Sequence, residues 1–393
     1  MRTIADSIRT FFRKGDVVLL ILCLIASACG LVLIYSATRY SPALHNDVLK
    51  QAIFLCLGVV VYFICSFVDI ELLVERWWKV FLIGSFVLLF LLIPFGVEGD
   101  TGNKSWVYLP GVPIGFQPAE FVKVAFVPLL AWLFNRQRER GISRPSSVFK
   151  VLGLTLVFAG VITVLSGDFG MVLVYALIFF VLAFAAGVKL RWFALAGIII
   201  AFIIAVIAVL TVKSPSFMEN FGYIIHRFTE VFTRDDPQGI GWQQVRSILA
   251  IGSGKLFGQG FMNGVQTQSP SEGALPARHT DEIFAVCGEE FGLIGCLFII
   301  ILLCAIIIRC FWVGCTARSH FSAYIALGYG AMLLIQTAIN IAFCLYVFPV
   351  VGLTLPFISY GGSSILTLFA AMGIVSGIKM RSLPSWLQDR SNL

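Results

Sequence analysis

Ionisable side chains set in apolar segments are costly, so the places where this chain keeps them are the first candidates for chemistry. Glu120 and Lys123 stand three apart in an otherwise apolar stretch, so on a helix they share one face. Two readings fit them: a self-neutralising pair that packs helices together, or a polar wall of a cavity open to one side of a membrane. Asp168, in Ser166-Gly167-Asp168-Phe169-Gly170, sits at a turn between two apolar runs. A lone aspartate there would be an ordinary helix N-cap, but its companions make it a second cavity candidate. Leu275-Pro276-Ala277-Arg278-His279-Thr280-Asp281-Glu282 then crowds carboxylates, an arginine and a histidine into one turn before a further apolar run. Helix-start chemistry accounts for part of this, with Thr280 as N-cap and the carboxylates on the positive dipole end. The alternative is a base beside a cationic site: Asp281 to take a proton, and Arg278 to hold a departing phosphate.

Three other segments carry weaker signals. Trp106 and Tyr108, in Asn103-Lys104-Ser105-Trp106-Val107-Tyr108, read either as aromatic-belt anchors or as a ring lining a groove for a sugar or an isoprenoid chain. Gly252-Ser253-Gly254-Lys255-Leu256-Phe257-Gly258-Gln259-Gly260 fails the spacing of a nucleotide phosphate loop and has Leu256 where Ser or Thr is required. It remains a Gly-rich turn whose backbone N–H groups could reach a phosphate. Asp235-Asp236-Pro237 reads as a solvated turn.

The elements that must position these groups are membrane spans. Of 393 residues, 59% are hydrophobic, only 12% are charged, and 36 are Phe. Soluble domains carry about a quarter charged residues, so a soluble enzyme, a disordered chain and a disulfide-rich secreted domain are all excluded. About 20 apolar residues cross the hydrocarbon core. Ten spans are predicted at roughly 17–37, 48–68, 80–97, 117–134, 151–165, 169–187, 192–211, 291–308, 322–343 and 354–378. The expected fold is an all-α integral membrane protein, with 1–393 forming a single polytopic domain.

Placing the N-terminus inside puts 18 of the 28 Lys and Arg in cytoplasmic segments and three in the short outer loops. By the positive-inside rule both termini are cytoplasmic, and 212–290 is a large extracytoplasmic loop between spans seven and eight. Long structured loops are usually functional, and this one is expected to fold against the membrane. The net charge of +7 is then mostly topology, and no nucleic-acid partner is implied. Span one is too long for a signal-peptide core. The ten cysteines lie mainly in spans and imply no disulfide framework.

Five motifs occur in order: Phe116-Gln117-Pro118-Ala119-Glu120-Phe121-Val122-Lys123, Gly167-Asp168-Phe169-Gly170, Gly252-Ser253-Gly254, Arg278-His279-Thr280-Asp281 and Pro356-Phe357-Ile358-Ser359-Tyr360-Gly361-Gly362-Ser363-Ser364. Together they resemble the SEDS family (shape, elongation, division and sporulation) from the first span to the tenth. The resemblance implies a ten-helix glycosyltransferase that polymerises lipid II into glycan strands outside the cytoplasmic membrane. Its implied partner is a class B penicillin-binding protein, which acts as the transpeptidase.

By position, the family's essential loop aspartate falls on Asp281, its helix-four Glu and Lys on Glu120 and Lys123, its cavity aspartate on Asp168 and its outer-loop tryptophan on Trp106. The chain departs at Glu282, where an aromatic is usual, at Ser105, where a basic residue is usual, and at Lys255, where Gly is common. Gly264-Val265-Gln266-Thr267-Gln268 and Arg278-His279 lean towards the elongation (RodA) branch, whereas Gly288-Glu289-Glu290 looks as much like the division branch. The implied reaction needs a base, assigned to Asp281, and positive charge for a leaving pyrophosphate, from Lys123, Arg278 or a divalent cation (Mg or Mn). No dedicated metal cage is visible in the sequence. A lipid II flippase and a non-catalytic scaffold are the rival functions.

Overall fold

The computed structural model describes residues 9, 11–41, 44–98, 103–108, 111, 115–213, 229–234, 241–271 and 274–382. The solvated turn expected at Asp235-Asp236-Pro237 and the tail from 383 onward lie outside the described residues. Each of the ten predicted spans corresponds to a helix: α1 Val17–Thr38, α2 His45–Phe67, α3 Ile70–Phe90, α4 Pro118–Arg138, α5 Pro145–Ser166, α6 Phe169–Ala185, α7 Leu190–Lys213, α8 Ile283–Cys315, α9 His320–Cys344 and α10 Gly362–Arg381. Among the described residues nine of these are long and apolar enough to cross a membrane, and α6 is a shorter apolar helix.

The helix ends follow local chemistry. Prolines open α4 and α5 at the first helical turn, where a missing N–H costs nothing. Gly167 closes α5 in the left-handed conformation (φ 66°). Asp16, Asp168 and Ser319 cap α1, α6 and α9 through their side chains. The chain between α3 and α4 forms a small antiparallel sheet in the order β1 (Gly96–Val97), β2 (Trp106–Tyr108), β3 (Gly115–Phe116), with Val97 opposite Trp106 and Val107 opposite Phe116.

Helix α8 departs furthest from the sequence reading. It starts at Ile283 rather than near 291 and breaks at Gly292, whose φ of 66° and ψ of −161° suit glycine alone. A break inside an apolar helix leaves backbone groups without partners, and the Gly-rich turn supplies them. The N–H groups of Gln259 and Gly260 donate to the carbonyls of Glu289 and Glu290 at 2.9 and 3.0 Å, and those of Leu293 and Ile294 donate to Lys255 and Leu256 at 2.9 and 3.3 Å. The expectation that this turn could offer amides to a phosphate is therefore corrected: they complete α8. The same region carries a helix, Trp242–Ser253, that packs on α8, so this part of the long connection is folded as expected.

Helix α10 begins at Gly362, later than predicted. The segment before it turns through Phe357 (φ 64°) and is held by Gln51 of α2, whose amide donates to the Ser359 carbonyl and accepts from the Gly361 N–H. At the opposite end of the bundle, Asp16 is fully buried and lies 2.8 Å from Arg309 of α8 and 3.3 Å from Lys379 of α10.

Candidate active site

Several connections meet at the end of the bundle where α4, α6, α8 and α10 begin. Lys123 is fully buried, and its Nζ lies 2.9 Å from Oε2 of Glu120, which is itself nearly so. Thr367 of α10 also donates to Glu120, at 3.4 Å. The two cations named as candidates for a leaving phosphate are thus differently placed. Lys123 is sealed against its carboxylate. Arg278 is buried too, and its guanidinium donates to the backbone carbonyls of Leu275, Thr267 and Ser269 and lies over the Tyr40 ring. Its geometry is that of a clamp on the loop before α8.

Asp168 caps α6 by accepting from the Met171 N–H at 2.9 Å. Its other oxygen accepts from Gln117 at 2.9 Å and Ser105 at 3.4 Å, and the Lys104 N–H donates to the Ser166 carbonyl at 3.1 Å. The small sheet is thereby tied to the α5–α6 turn. Burial pushes the Asp168 carboxyl up to about 6; the Met171 N–H opposes the rise and the Glu120 charge adds to it. Trp106 sits half-buried on the central strand, three residues beyond Asn103, which faces the α5–α6 turn at Gly167.

Asp281 is reached from the other side. A Cβ at Gly170 would lie 2.3 Å from the Val351 carbonyl, so only glycine lets α6 meet the segment after α9. The next residue, Gly352, borders the Asp281 carboxylate: a Cβ there would be 3.9 Å from Oδ2. Asn340 of α9 holds the backbone, donating to the carbonyls of Asp281 (2.8 Å) and Leu353 (2.7 Å). Among the described residues nothing hydrogen-bonds the Asp281 carboxylate, and Glu282 rather than Thr280 occupies the N-cap position, without a side-chain cap bond. Asp281 is consequently not a helix cap. Burial raises its carboxyl to about 6, with the Asp168 charge adding to the effect.

The neighbours of Asp281 are chemically quiet. Glu282 is buried with neither oxygen partnered, and burial holds its carboxyl well above the usual range. His279 is lowered by burial, and its carbonyl accepts from the Tyr360 N–H at 2.9 Å. The structure thus pairs Lys123 with Glu120, sets the Glu120 charge near Asp168 and the Asp168 charge near Asp281, and engages Arg278 with loop carbonyls. Sequence reasoning missed Asn340 and Gly352, and gave Gln117 no role although it stands in the first motif. Asn340 carried a legible signal, a carboxamide between apolar residues near the end of α9. Among the described residues no three of His, Cys, Asp and Glu group closely enough to hold a metal ion.

The FtsW/RodA/SpoVE family model, described as a cell cycle protein, matches residues 16–383. A Haemophilus influenzae protein named as a probable peptidoglycan glycosyltransferase, FtsW, is 34% identical over 88% of this chain and 85% of its own length. A Trichlorobacter lovleyi protein of the same name is 30% identical over 94% and 95%. Among solved structures, one described as a peptidoglycan synthase complex aligns with a TM-score of 0.74 at 26% identity, covering 93% of this chain and 97% of that one. The rod shape determining protein RodA of Thermus thermophilus aligns with a TM-score of 0.65 at 25% identity, covering 94% and 98%. Proteins named FtsW and a RodA are therefore both similar to this chain. With ten apolar helices among the described residues and a match over nearly its whole length, the chain belongs to the FtsW/RodA/SpoVE (SEDS) family and is a multi-pass protein of the bacterial inner membrane.

Proposed function

We propose that this chain is a peptidoglycan glycosyltransferase that polymerises lipid II, with Asp281 as its general base on the extracytoplasmic side. A sugar hydroxyl of one lipid II attacks the anomeric carbon of the other chain, and the bond to undecaprenyl pyrophosphate breaks with its electron pair going to the phosphate oxygen. Asp281 takes the hydroxyl proton, and inversion of an α-linked donor gives a β-1,4 linkage. A diphosphate leaves readily, so the demand on the protein is a base and a positive field rather than a strong acid.

The observation that carries the reading is the Asp281 carboxylate: unpartnered among the described residues, held through its backbone by Asn340, and raised to about 6. A base with that affinity is ionised at neutral pH yet still takes a proton readily. Helices α8 and α10 both start without a side-chain cap bond, and their positive ends would favour the diphosphate. Lys123 and Glu120 form a buried pair that neutralises itself, and Asp168 ties down the sheet that carries Trp106. The flippase alternative would need a polar path continuing to the opposite end, where Asp16 is instead closed under Arg309 and Lys379. A class B penicillin-binding protein is proposed as partner, supported by the similarity to a peptidoglycan synthase complex.

The test is polymerisation of labelled lipid II by the purified chain, with and without the candidate transpeptidase, resolved on a gel. A glycan ladder that vanishes in folded Asp281→Ala supports the assignment. A ladder that survives moves the base elsewhere, and no ladder under either condition sinks the polymerase.

A further inference from the structure

A second feature lies far from these residues, toward the opposite end of the bundle. Helices α3, α4 and α5 enclose an apolar slot of about 390 Å³. Trp78 of α3 and Trp132 of α4 form one wall, stacked with ring centroids 4.8 Å apart. Gly153 of α5 leaves the slot open on its other side, since a Cβ there would meet nothing within 4 Å.

Three exposed cations surround this slot. Lys79 lies over the Trp78 ring at 5.6 Å and Arg136 over the Trp132 ring at 5.4 Å, while Lys150 lines the slot itself. Among the described residues none of the three is in an ion pair, although Glu75 and Glu139 are close in sequence. Arg309 and Lys379, by contrast, are matched by Asp16 and Arg381 by Asp69. An apolar slot between helices with a cluster of uncompensated cations at its edge has the complementarity of a lipid that carries negative charge on its headgroup. The stacked indoles lie where amphipathic rings prefer to sit, between acyl chains and headgroups.

We propose that this slot is a binding site for an anionic glycerophospholipid. One acyl chain lies along Trp78, Trp132 and Gly153, and the phosphate is held by Lys150, Arg136 and Lys79. The site is separate from the catalytic end and needs none of its residues.

The experiment is native mass spectrometry of the full chain in detergent. It is titrated with phosphatidylglycerol, with phosphatidylcholine of the same acyl chains, and with an isoprenyl phosphate. Phosphatidylglycerol is expected to be retained in preference to phosphatidylcholine. Lys150→Ala and Arg136→Ala are each expected to weaken its retention about fivefold, the worth of one basic side chain at a charged lipid surface. Gly153→Phe keeps all three charges and fills the slot, so it should abolish retention. Equal retention of the two phospholipids overturns the proposal, as does undiminished retention in Gly153→Phe. Displacement of phosphatidylglycerol by an equimolar isoprenyl phosphate would overturn it as well, because the slot would then belong to the isoprenoid carrier. Because Lys150 and Arg136 are exposed, their variants keep the test decisive even where Gly153→Phe does not fold.

Discussion

The pH dependence of polymerisation is the most direct test of the electrostatics around Asp281. Its carboxyl stands at about 6, raised first by burial and then by Asp168, and a general base works only when ionised. A base with that affinity is roughly 10% ionised at pH 5 and roughly 90% at pH 7, so the rate should climb about ninefold between them. An unperturbed aspartate would already be roughly 90% ionised at pH 5, and the profile would be nearly flat. The sign is therefore fixed: activity falls as pH drops through 6, not through 4. Asp168 is also raised to about 6, and its charge is the second cause of the rise at Asp281. Asp168→Asn removes the like charge while keeping a good N-cap for α6, so the acid limb should move to lower pH without returning to 4, because burial remains. The assay is the initial rate of glycan formation at subsaturating lipid II from pH 4.5 to 8, which reports the free enzyme. A limb near 4 in the unsubstituted protein would refute the buried-base reasoning. A limb that stays put in Asp168→Asn would remove Asp168 from the field of Asp281.

Four further outcomes are expected. Asp281→Asn should raise the unfolding temperature at pH 8 and leave it unchanged at pH 4; a carboxyl raised in the folded state contributes stability below its unfolded value that is lost as pH rises through 6. Lys123→Ala strands a buried Glu120 and should cost about 3–5 kcal/mol, largely recovered in the double variant Lys123→Met/Glu120→Gln; thermal unfolding that shows no recovery would mean the pair is not coupled. Asn340→Ala leaves the Asp281 and Leu353 carbonyls without their donor, costing about 1–3 kcal/mol in stability. It should also slow polymerisation at least about tenfold with the acid limb unmoved, as expected for a residue that positions the base rather than tuning it. Glu282→Leu removes a buried carboxyl with no partner and should raise the unfolding temperature while keeping polymer formation, and a loss of polymer in the folded variant would give Glu282 a role in the reaction.

Much of the architecture could be read from hydropathy alone. Lipid forces every spanning segment to satisfy its own backbone, so a run of apolar residues near 20 long has one available structure, and all ten predicted runs are helices. The same cost made Glu120, Lys123 and Asp168 visible, since an ionisable group in such a setting stands out against its neighbours. The tertiary structure decided what those groups do to one another. Arg278 beside Asp281 in sequence suggested a paired acid and cation, yet the loop folds so that its guanidinium serves three backbone carbonyls. The Gly252–Gly260 turn suggested free amides, yet they are needed where α8 breaks at Gly292. Asn340 lies 59 residues from Asp281, and no local pattern links them. Periodicity and hydropathy act over a few helical turns, so a sequence states which segments enter the membrane. The partner of a given hydrogen-bonding group, and with it the affinity of Asp281 for a proton, depends on contacts between segments far apart in the chain, and these exist only once the helices have packed.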